Sequence, residues 1–190
     1  VIVVGNLTVG GTGKTPLVLW MASRLRLAGH RPGIVLRGYG AGPAAPREVA
    51  SGDDARTSGD EAVLLAQGAH CPVWAGGDRA RAAMALLAAH PDCDLILCDD
   101  GLQHYGLARD IEVAVEDERG HGNGLLLPAG PLREPPRRRV DATVVNGAAR
   151  PARGGRVFGM RLQPAGLAWL NGTSVAPPAQ ARPSVTCSGL

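Results

Sequence analysis

Lysine is all but absent from this chain: one residue, Lys14, stands against nineteen arginines in 190 positions. That excludes the Asn-Lys-x-Asp element by which the common GTPases read guanine, because the lone lysine lies in Gly13-Lys14-Thr15-Pro16. Aromatic residues make up only 3% of the chain and the net charge is only +3, too little of either to argue for a nucleic-acid surface. Cys71, Cys93, Cys98 and Cys187 show no C-x-x-C spacing. Reduced thiols in a cytosolic setting are expected, rather than disulfides or a zinc site. No stretch approaches the roughly 18 apolar residues that cross a bilayer, and no signal peptide precedes Val1. The chain starts without Met and its last residues, 184–190, carry no evident terminating element, so it reads as a fragment of something longer.

What is present centres on the lysine. Thr8-Val9-Gly10-Gly11-Thr12-Gly13-Lys14-Thr15 follows the apolar run Val1-Ile2-Val3-Val4. Gly10, Gly11 and Gly13 permit backbone angles that turn successive N–H groups inward, an anion-binding nest at the N-terminus of the next helix. Lys14 would reach the β- and γ-phosphates of a nucleotide, and the Thr15 hydroxyl would sit on Mg²⁺. The generic G-x-x-x-x-G-K-[ST] pattern is met except at its first position, where Thr8 replaces Gly.

Strand-length apolar runs recur at Val1 to Val4, Gly33 to Leu36, Pro72 to Ala75, Leu95 to Cys98, Ile111 to Val115 and Ala142 to Val145. Helical patterns fall between them, over Lys14 to Ala28, Asp60 to Gly68 and Asp78 to His90. The pattern predicts an α/β fold of the P-loop NTPase type, a mostly parallel sheet with helices on both faces. Ala41 to Pro46 reads as a mobile Pro/Ala/Gly loop. From about Gly147 the character changes. Gly154-Gly155, Arg156 to Leu162, Leu167 to Leu170, Asn171-Gly172 and Thr173 to Val175 read as short antiparallel strands with a hairpin turn. The expected division is therefore a nucleotide-binding kinase domain over 1–147 and the start of a β-rich second lobe over 148–190.

Other residues carry chemistry in context. Asp94 to Cys98 runs into Asp99-Asp100-Gly101, a strand end beside the phosphate loop where such enzymes place the acid that holds Mg²⁺. Adjacent acids point in different directions, so one would address metal while the other positions a ligand. Asp60 and Glu61, after Ser58-Gly59, either complement a helix dipole with Ser58 as cap, or supply in Asp60 a general base for an attacking hydroxyl. Gln103-His104-Tyr105 lies in a loop at the strand's C-terminal end, where ligands bind in open α/β sheets. Arg79, Arg109 with Asp110, and Arg133 with Glu134 are further candidates for phosphate or substrate contact. Arg137-Arg138-Arg139 reads as a charged face that would suit an anionic lipid headgroup.

Five segments in order resemble the tetraacyldisaccharide 4′-kinase (lipid A 4′-kinase) family. They are Gly5 to Pro16, Arg37-Gly38-Tyr39-Gly40, Gly59-Asp60-Glu61, Asp99 to His104, and Leu127-Pro128-Ala129-Gly130-Pro131-Leu132-Arg133-Glu134-Pro135, together covering residues 1 to 147. The resemblance implies transfer of a phosphoryl group from ATP-Mg²⁺ to the 4′-hydroxyl of a tetraacyldisaccharide 1-phosphate, at the cytoplasmic face of the bacterial inner membrane. A glycolipid substrate and a membrane surface in the complete protein follow from it; a monomer without a nucleic-acid partner is expected alongside. It implies Asp60 as base, Asp99 and Asp100 as metal and nucleotide acids, and Thr12, Lys14 and Thr15 as phosphate and Mg²⁺ ligands. Arg79, Gln103, His104, Arg133 and Glu134 become substrate candidates. Members of the family also carry a hydrophobic N-terminal segment and a C-terminal lobe with an Asp-His-His motif. None of His30, His70, His90, His104 and His121 matches that motif, and Ala62 stands where the family has Pro. Two alternatives are an inactive nucleotide-binding fragment and an unrelated P-loop small-molecule kinase.

Overall fold

A computed structural model describes residues 1–38, 45–147 and 156–163, together with the backbone of 186–189. The expected hairpin over 167–175 lies outside these residues, as do Tyr39, Gly40 and the loop from Ala41 except Ala45 and Pro46.

The run at the start of the chain is continuously apolar because consecutive residues of β1 (Ile2–Gly5) enter two different cores. Val4 packs with Leu17, Ile34 and Leu97 on one face of the sheet, and Val3 with Leu86, Ile96 and Leu102 on the other. The same holds for β2 (Pro32–Leu36), buried at all five positions, and for β5 (Leu95–Asp99). With β3 (Arg47–Glu48), β4 (Val73–Ala75), β6 (Ile111–Asp117), β7 (Ala142–Asn146), β8 (Arg156–Arg161) and β9 (Thr186–Gly189) they form a nine-stranded sheet. Its order is β3-β4-β2-β5-β1-β6-β7-β8-β9. Pairing is parallel except for β3 with β4 and β8 with β9, at the two edges.

Right-handed crossovers decide which side each connection covers. From β1 the chain steps one way to β2 and β4, through α1 (Lys14–Leu27), then α2 (Ala55–Ser58) and α3 (Asp60–Gly68). α1 and α3 therefore share a face, where Leu17, Val18, Ala62 and Leu65 are buried. From β4 the chain steps back through α4 (Arg79–Ala89) to β5, and onward to β6 and β7, which places Leu86, Leu102, Leu107 and Leu132 on the opposite face. Reversal of direction at β1 puts that strand between β5 and β6, and sets the C-terminal ends of all three together. Such a switch point is where open α/β sheets hold ligands.

The helix boundaries follow local chemistry. α1 begins behind Gly13, at φ 96°, with no side chain capping its first turn, which leaves those N–H groups free for a ligand. Asp78 caps α4, its Oδ1 accepting from the Ala80 and Arg81 N–H groups at 2.9 and 3.2 Å. Ser58 does not cap α3 as the capping alternative expected. It closes the short α2, its hydroxyl donates to Asp53 at 3.1 Å, and Arg47 donates to it at 2.6 Å. The N-cap of α3 is Gly59, with no side-chain bond. A second difference lies at β8. Arg156 to Leu162 is expected to open an antiparallel set; β8 does pair antiparallel with β9, but on its other side it pairs parallel with β7, Val144 beside Phe158, and so extends the same sheet. Strand direction depends on the path of the connection, which alternation of side chains does not record.

Candidate active site

The register of two strands builds the centre of the site. Val4 pairs with Asp99 across β1 and β5, so the acid at the end of β5 emerges beside the loop leaving β1. Gly10 at φ 102° and Gly13 at φ 96° let that loop fold back over the start of α1. The Thr15 hydroxyl then donates to Asp99 Oδ2 at 3.3 Å. Lys14 Nζ donates to Asn6 Oδ1 at 3.1 Å and stands 3.6 Å from Asp100.

Asp99 and Asp100 do point apart. Asp99 is 3% exposed, faces Thr15, and keeps Oδ1 without a hydrogen-bond partner among the described residues. Burial, reinforced by the negative charge of Glu61 and opposed by Lys14, pushes its carboxyl up to about 6. Asp100 takes a left-handed φ of 50° ahead of Gly101, which turns its carboxylate away from Thr15 toward Arg133. Arg133 Nη1 donates to both of its oxygens, at 3.0 and 2.9 Å.

A buried acceptor without a donor is costly, and Thr12 Oγ1, 1% exposed, is likewise unpartnered among the described residues. They belong to the glycine loop and to the strand end beside it. The Thr15 hydroxyl and the Asp99 carboxylate are hard oxygen donors of the kind Mg²⁺ takes, so the donor set fits that ion.

Asp60 and Glu61 open α3 and line a cavity of about 250 Å³ together with Arg37, Asp99 and Asp100. Asp60 is exposed and its carboxylate makes no hydrogen bond among the described residues. Gln103 reaches back from the loop after β5, its Nε2 donating to the Asn6 carbonyl at 3.2 Å. His104 turns to the start of α4, where its Nε2 meets the Arg79 N–H at 3.2 Å and lies 3.7 Å from Asp78. Arg79 itself is 7% exposed and donates to the Gly77 carbonyl at 2.9 Å. Burial holds its guanidinium below the ordinary arginine range, with Arg37 adding to the effect and Asp100 and Cys98 opposing it.

Glu134 is not brought to this cavity. It is 8% exposed, and its Oε2 accepts from Tyr105 and Arg138, each at 2.8 Å. Arg138 also pairs with Glu112, which Arg109 Nη1 reaches at 3.0 Å, and both guanidinium groups lie over the Tyr105 ring at 5.2 and 5.7 Å. This partly buried cluster ties the segment carrying Arg133 to the loop carrying Gln103. Arg109 therefore faces Glu112 and the Leu102 carbonyl rather than a ligand.

Three residues escaped the sequence reading. Asn6, fully buried, bonds Lys14 with one side-chain atom and the Gly10 carbonyl with the other, at 3.2 Å. Asn146 closes β7 and donates to the Thr12 carbonyl at 3.1 Å, while Arg119 donates to the Gly11 carbonyl at 3.2 Å. Asn146 carried a usable signal: a polar residue directly after an apolar parallel strand, at the end where ligands bind. Asn6 carried one too, since a buried amide just ahead of the glycines is well placed to brace them. Arg119, in a loop far along the chain, carried none.

The family model described as tetraacyldisaccharide-1-P 4'-kinase matches residues 1–190. Over 148 residues the chain is 61% identical to a tetraacyldisaccharide 4'-kinase of Herminiimonas arsenicoxydans, an alignment covering 78% of this chain and 42% of that protein. It is 55% identical over 170 residues to one of Aromatoleum aromaticum, covering 86% and 51%. Among solved structures it resembles LpxK from Aquifex aeolicus in complex with ATP, at a TM-score of 0.77 and 31% identity, over 92% of this chain and 57% of that one. The chain thus spans about half the length of the curated relatives it matches.

Proposed function

The chain belongs to the tetraacyldisaccharide-1-P 4'-kinase family, and from that premise we propose that the complete protein transfers the γ-phosphoryl group of ATP to the 4′-hydroxyl of a tetraacyldisaccharide 1-phosphate. The product would be lipid IVA of lipid A biosynthesis, made at the cytoplasmic face of a bacterial inner membrane by a monomeric, membrane-associated enzyme. The observation that carries the reading is the convergence of Lys14, Thr15, Asp99 and Asp100 on one glycine nest, beside a cavity that also includes Asp60.

In this mechanism the N–H groups of the Gly10 to Gly13 nest cradle the phosphates and Lys14 leaves Asn6 to meet the β- and γ-oxygens. Thr15 and Asp99 would hold Mg²⁺, which when bound neutralises charge on those oxygens. Asp60 accepts the proton of the 4′-hydroxyl as its oxygen bonds to the γ-phosphorus and the bond to the β-phosphate oxygen breaks. Asp100, fixed by Arg133, steadies Lys14 and the nucleotide. Arg79, Gln103, His104 and Arg133 lie along the segments that would border the sugar. Glu134 acts through Arg138 and Tyr105, as a support for that border. We also propose that residues 1–147 form the nucleotide-binding domain and that 148–190 lead into a second lobe, with β8 and β9 as the edge from which it grows.

The test is direct. The 190-residue chain and a complete protein are incubated with Mg²⁺, ATP and the tetraacyldisaccharide 1-phosphate, and mass spectrometry is used to find the bisphosphorylated lipid. Product from the complete protein supports the reading; its absence there defeats it. A second reading, that these 190 residues bind ATP without turning it over, is favoured by the Asp60 carboxylate having no hydrogen-bond partner among the described residues. ATP binding by the chain with product only from the complete protein is the expected result for it.

A further inference from the structure

Three successive carbonyls of the glycine loop are each held by a side chain. Asn6 donates to the Gly10 carbonyl at 3.2 Å, Arg119 to that of Gly11 at 3.2 Å and Asn146 to that of Thr12 at 3.1 Å. In a planar trans peptide the C=O and the next N–H point opposite ways, so each bond also aims one N–H, those of Gly11, Thr12 and Gly13 in turn. None of these N–H groups makes a hydrogen bond among the described residues. They are left facing the place an anion would take.

Asn6 directly follows β1 and Asn146 ends β7, whereas Arg119 reaches Gly11 from the loop after β6 and is itself fixed. Asp117, the last residue of β6 and the register partner of Asn146, accepts from Arg119 Nε at 3.1 and 3.0 Å and from Nη2 at 2.6 Å. It also accepts from the Arg119 backbone N–H at 3.0 Å. These contacts hold the Asp117 carboxyl below its ordinary range. Nη1 lies 2.8 Å from the point where a Cβ on Gly10 would stand, so a side chain at position 10 would push the guanidinium aside. Arg119 is 55% exposed, and an ion pair in such a setting adds little by itself. What distinguishes this one is its further bond, from the same Nη2, to the loop.

We propose that Arg119, fixed by Asp117, is a positioning residue for the phosphates of ATP: it holds the Gly11 carbonyl outward and so keeps the Thr12 N–H turned into the nest before nucleotide arrives. The inference deepens the nucleotide reading above and rests on it. Without the guanidinium, the peptide after Gly11 is free to rotate, and the nucleotide must order it on binding. Arg119 meets no phosphate itself, so its effect belongs in affinity for ATP and not in the chemical step.

The test is made on the complete protein, with ATP and Mg²⁺ in a calorimeter and with the lipid acceptor in steady-state assays. Loss of one such hydrogen bond corresponds to about threefold to tenfold in an equilibrium constant, so Arg119→Gln should raise the Kd and the KM for ATP by about that factor. kcat and the KM for the lipid should keep their wild-type values, the pattern of binding lost equally from ground and transition states. The melting temperature should also hold. Arg119→Lys keeps the charge, but its ammonium lacks the fork that serves Asp117 and Gly11 together, and it should lose as much affinity. Asp117→Asn/Arg119→Gln should bind ATP no more weakly than Arg119→Gln alone, because the two residues act as one device. Arg24→Gln, at an exposed position on α1, should bind like wild type. Wild-type affinity in Arg119→Gln or in Arg119→Lys overturns the proposal, as does a loss that appears in kcat, an additive double variant, or a lower melting temperature with Kd unchanged. A wild-type protein that binds no ATP would defeat the nucleotide reading itself; a wild-type protein that binds it no better than Arg119→Gln defeats this inference alone.

Discussion

Arg133 bonds both oxygens of Asp100, at 3.0 and 2.9 Å, while Lys14 stands 3.6 Å from the same carboxylate. Two cations thus divide one acid at the mouth of the phosphate loop. Whatever draws Lys14 outward toward a nucleotide leaves Asp100 still neutralised, so the lysine can move without stranding a charge.

Removing that second cation should therefore weaken nucleotide binding although Arg133 need not touch the nucleotide. With Arg133→Gln, Asp100 is left to Lys14 alone and competes with the phosphates for it. The pair is 28% and 34% exposed, so the effect is modest, about threefold to tenfold in Kd for ATP. Titration calorimetry giving a wild-type Kd would refute the shared-acid account.

Asp99 is held buried at a cost in stability. An acid whose pKa is raised on folding, here from 3.8 to about 6, favours the folded state while protonated and loses that contribution as pH rises through about 6. Asp99→Asn should stabilise the ligand-free protein at pH 8 by about 2–3 kcal/mol, a gain that shrinks on acidification toward pH 4, while abolishing phosphoryl transfer. Thermal melts with the same gain at both pH values would contradict this. In the wild-type protein kcat/KM, which reports the free enzyme, should fall on the acid side near pH 6.

Asn6 is expected to matter for stability and binding together. Asn6→Ala strips a partner from Lys14 and another from the Gly10 carbonyl inside a fully buried position, a loss of about 1–3 kcal/mol. The melting temperature should drop and ATP should bind more weakly. An unchanged melt would mean that the amide braces nothing.

For Asp60 the expectation is a split. In a complete protein, Asp60→Asn should lower kcat by about a hundredfold to ten-thousandfold, as loss of a general base does, with ATP affinity nearly retained. Turnover at the wild-type rate would remove the residue from the proton-transfer role.

Much of this architecture could be read directly from the chain, and what could not has a common cause. β1, β2, β5 and α1, α3 and α4 were legible because each is long, buried on both faces or cleanly periodic, and bounded by Gly, Pro or Asp. β3 and α2 were not: two and four residues are too short to carry a period, and Arg47 and Glu48 are exposed. The glycine loop over residues 8–15 and the strand ending in Asp99-Asp100 were visible because their sequence patterns are local. The roles of Asn146, Arg119 and Arg138 were hidden because each is defined by a partner 26 to 134 residues away. Arg133 and Glu134, adjacent in sequence, illustrate the limit: the first faces Asp100 and the second faces Arg138.

The position of β1 has a further consequence for how such a protein is made. Its neighbours in the sheet are β5 and β6, with Ile2 set against Leu97 on one side and Ile111 on the other. During synthesis the strand ahead of the glycine loop therefore stays unpaired until residues 95–99 of β5 have left the ribosome. Contacts of such sequence separation form slowly and leave an apolar segment open to aggregation meanwhile. Slow translation or a short supply of chaperones would therefore be felt first at β1 and the glycine loop that follows it.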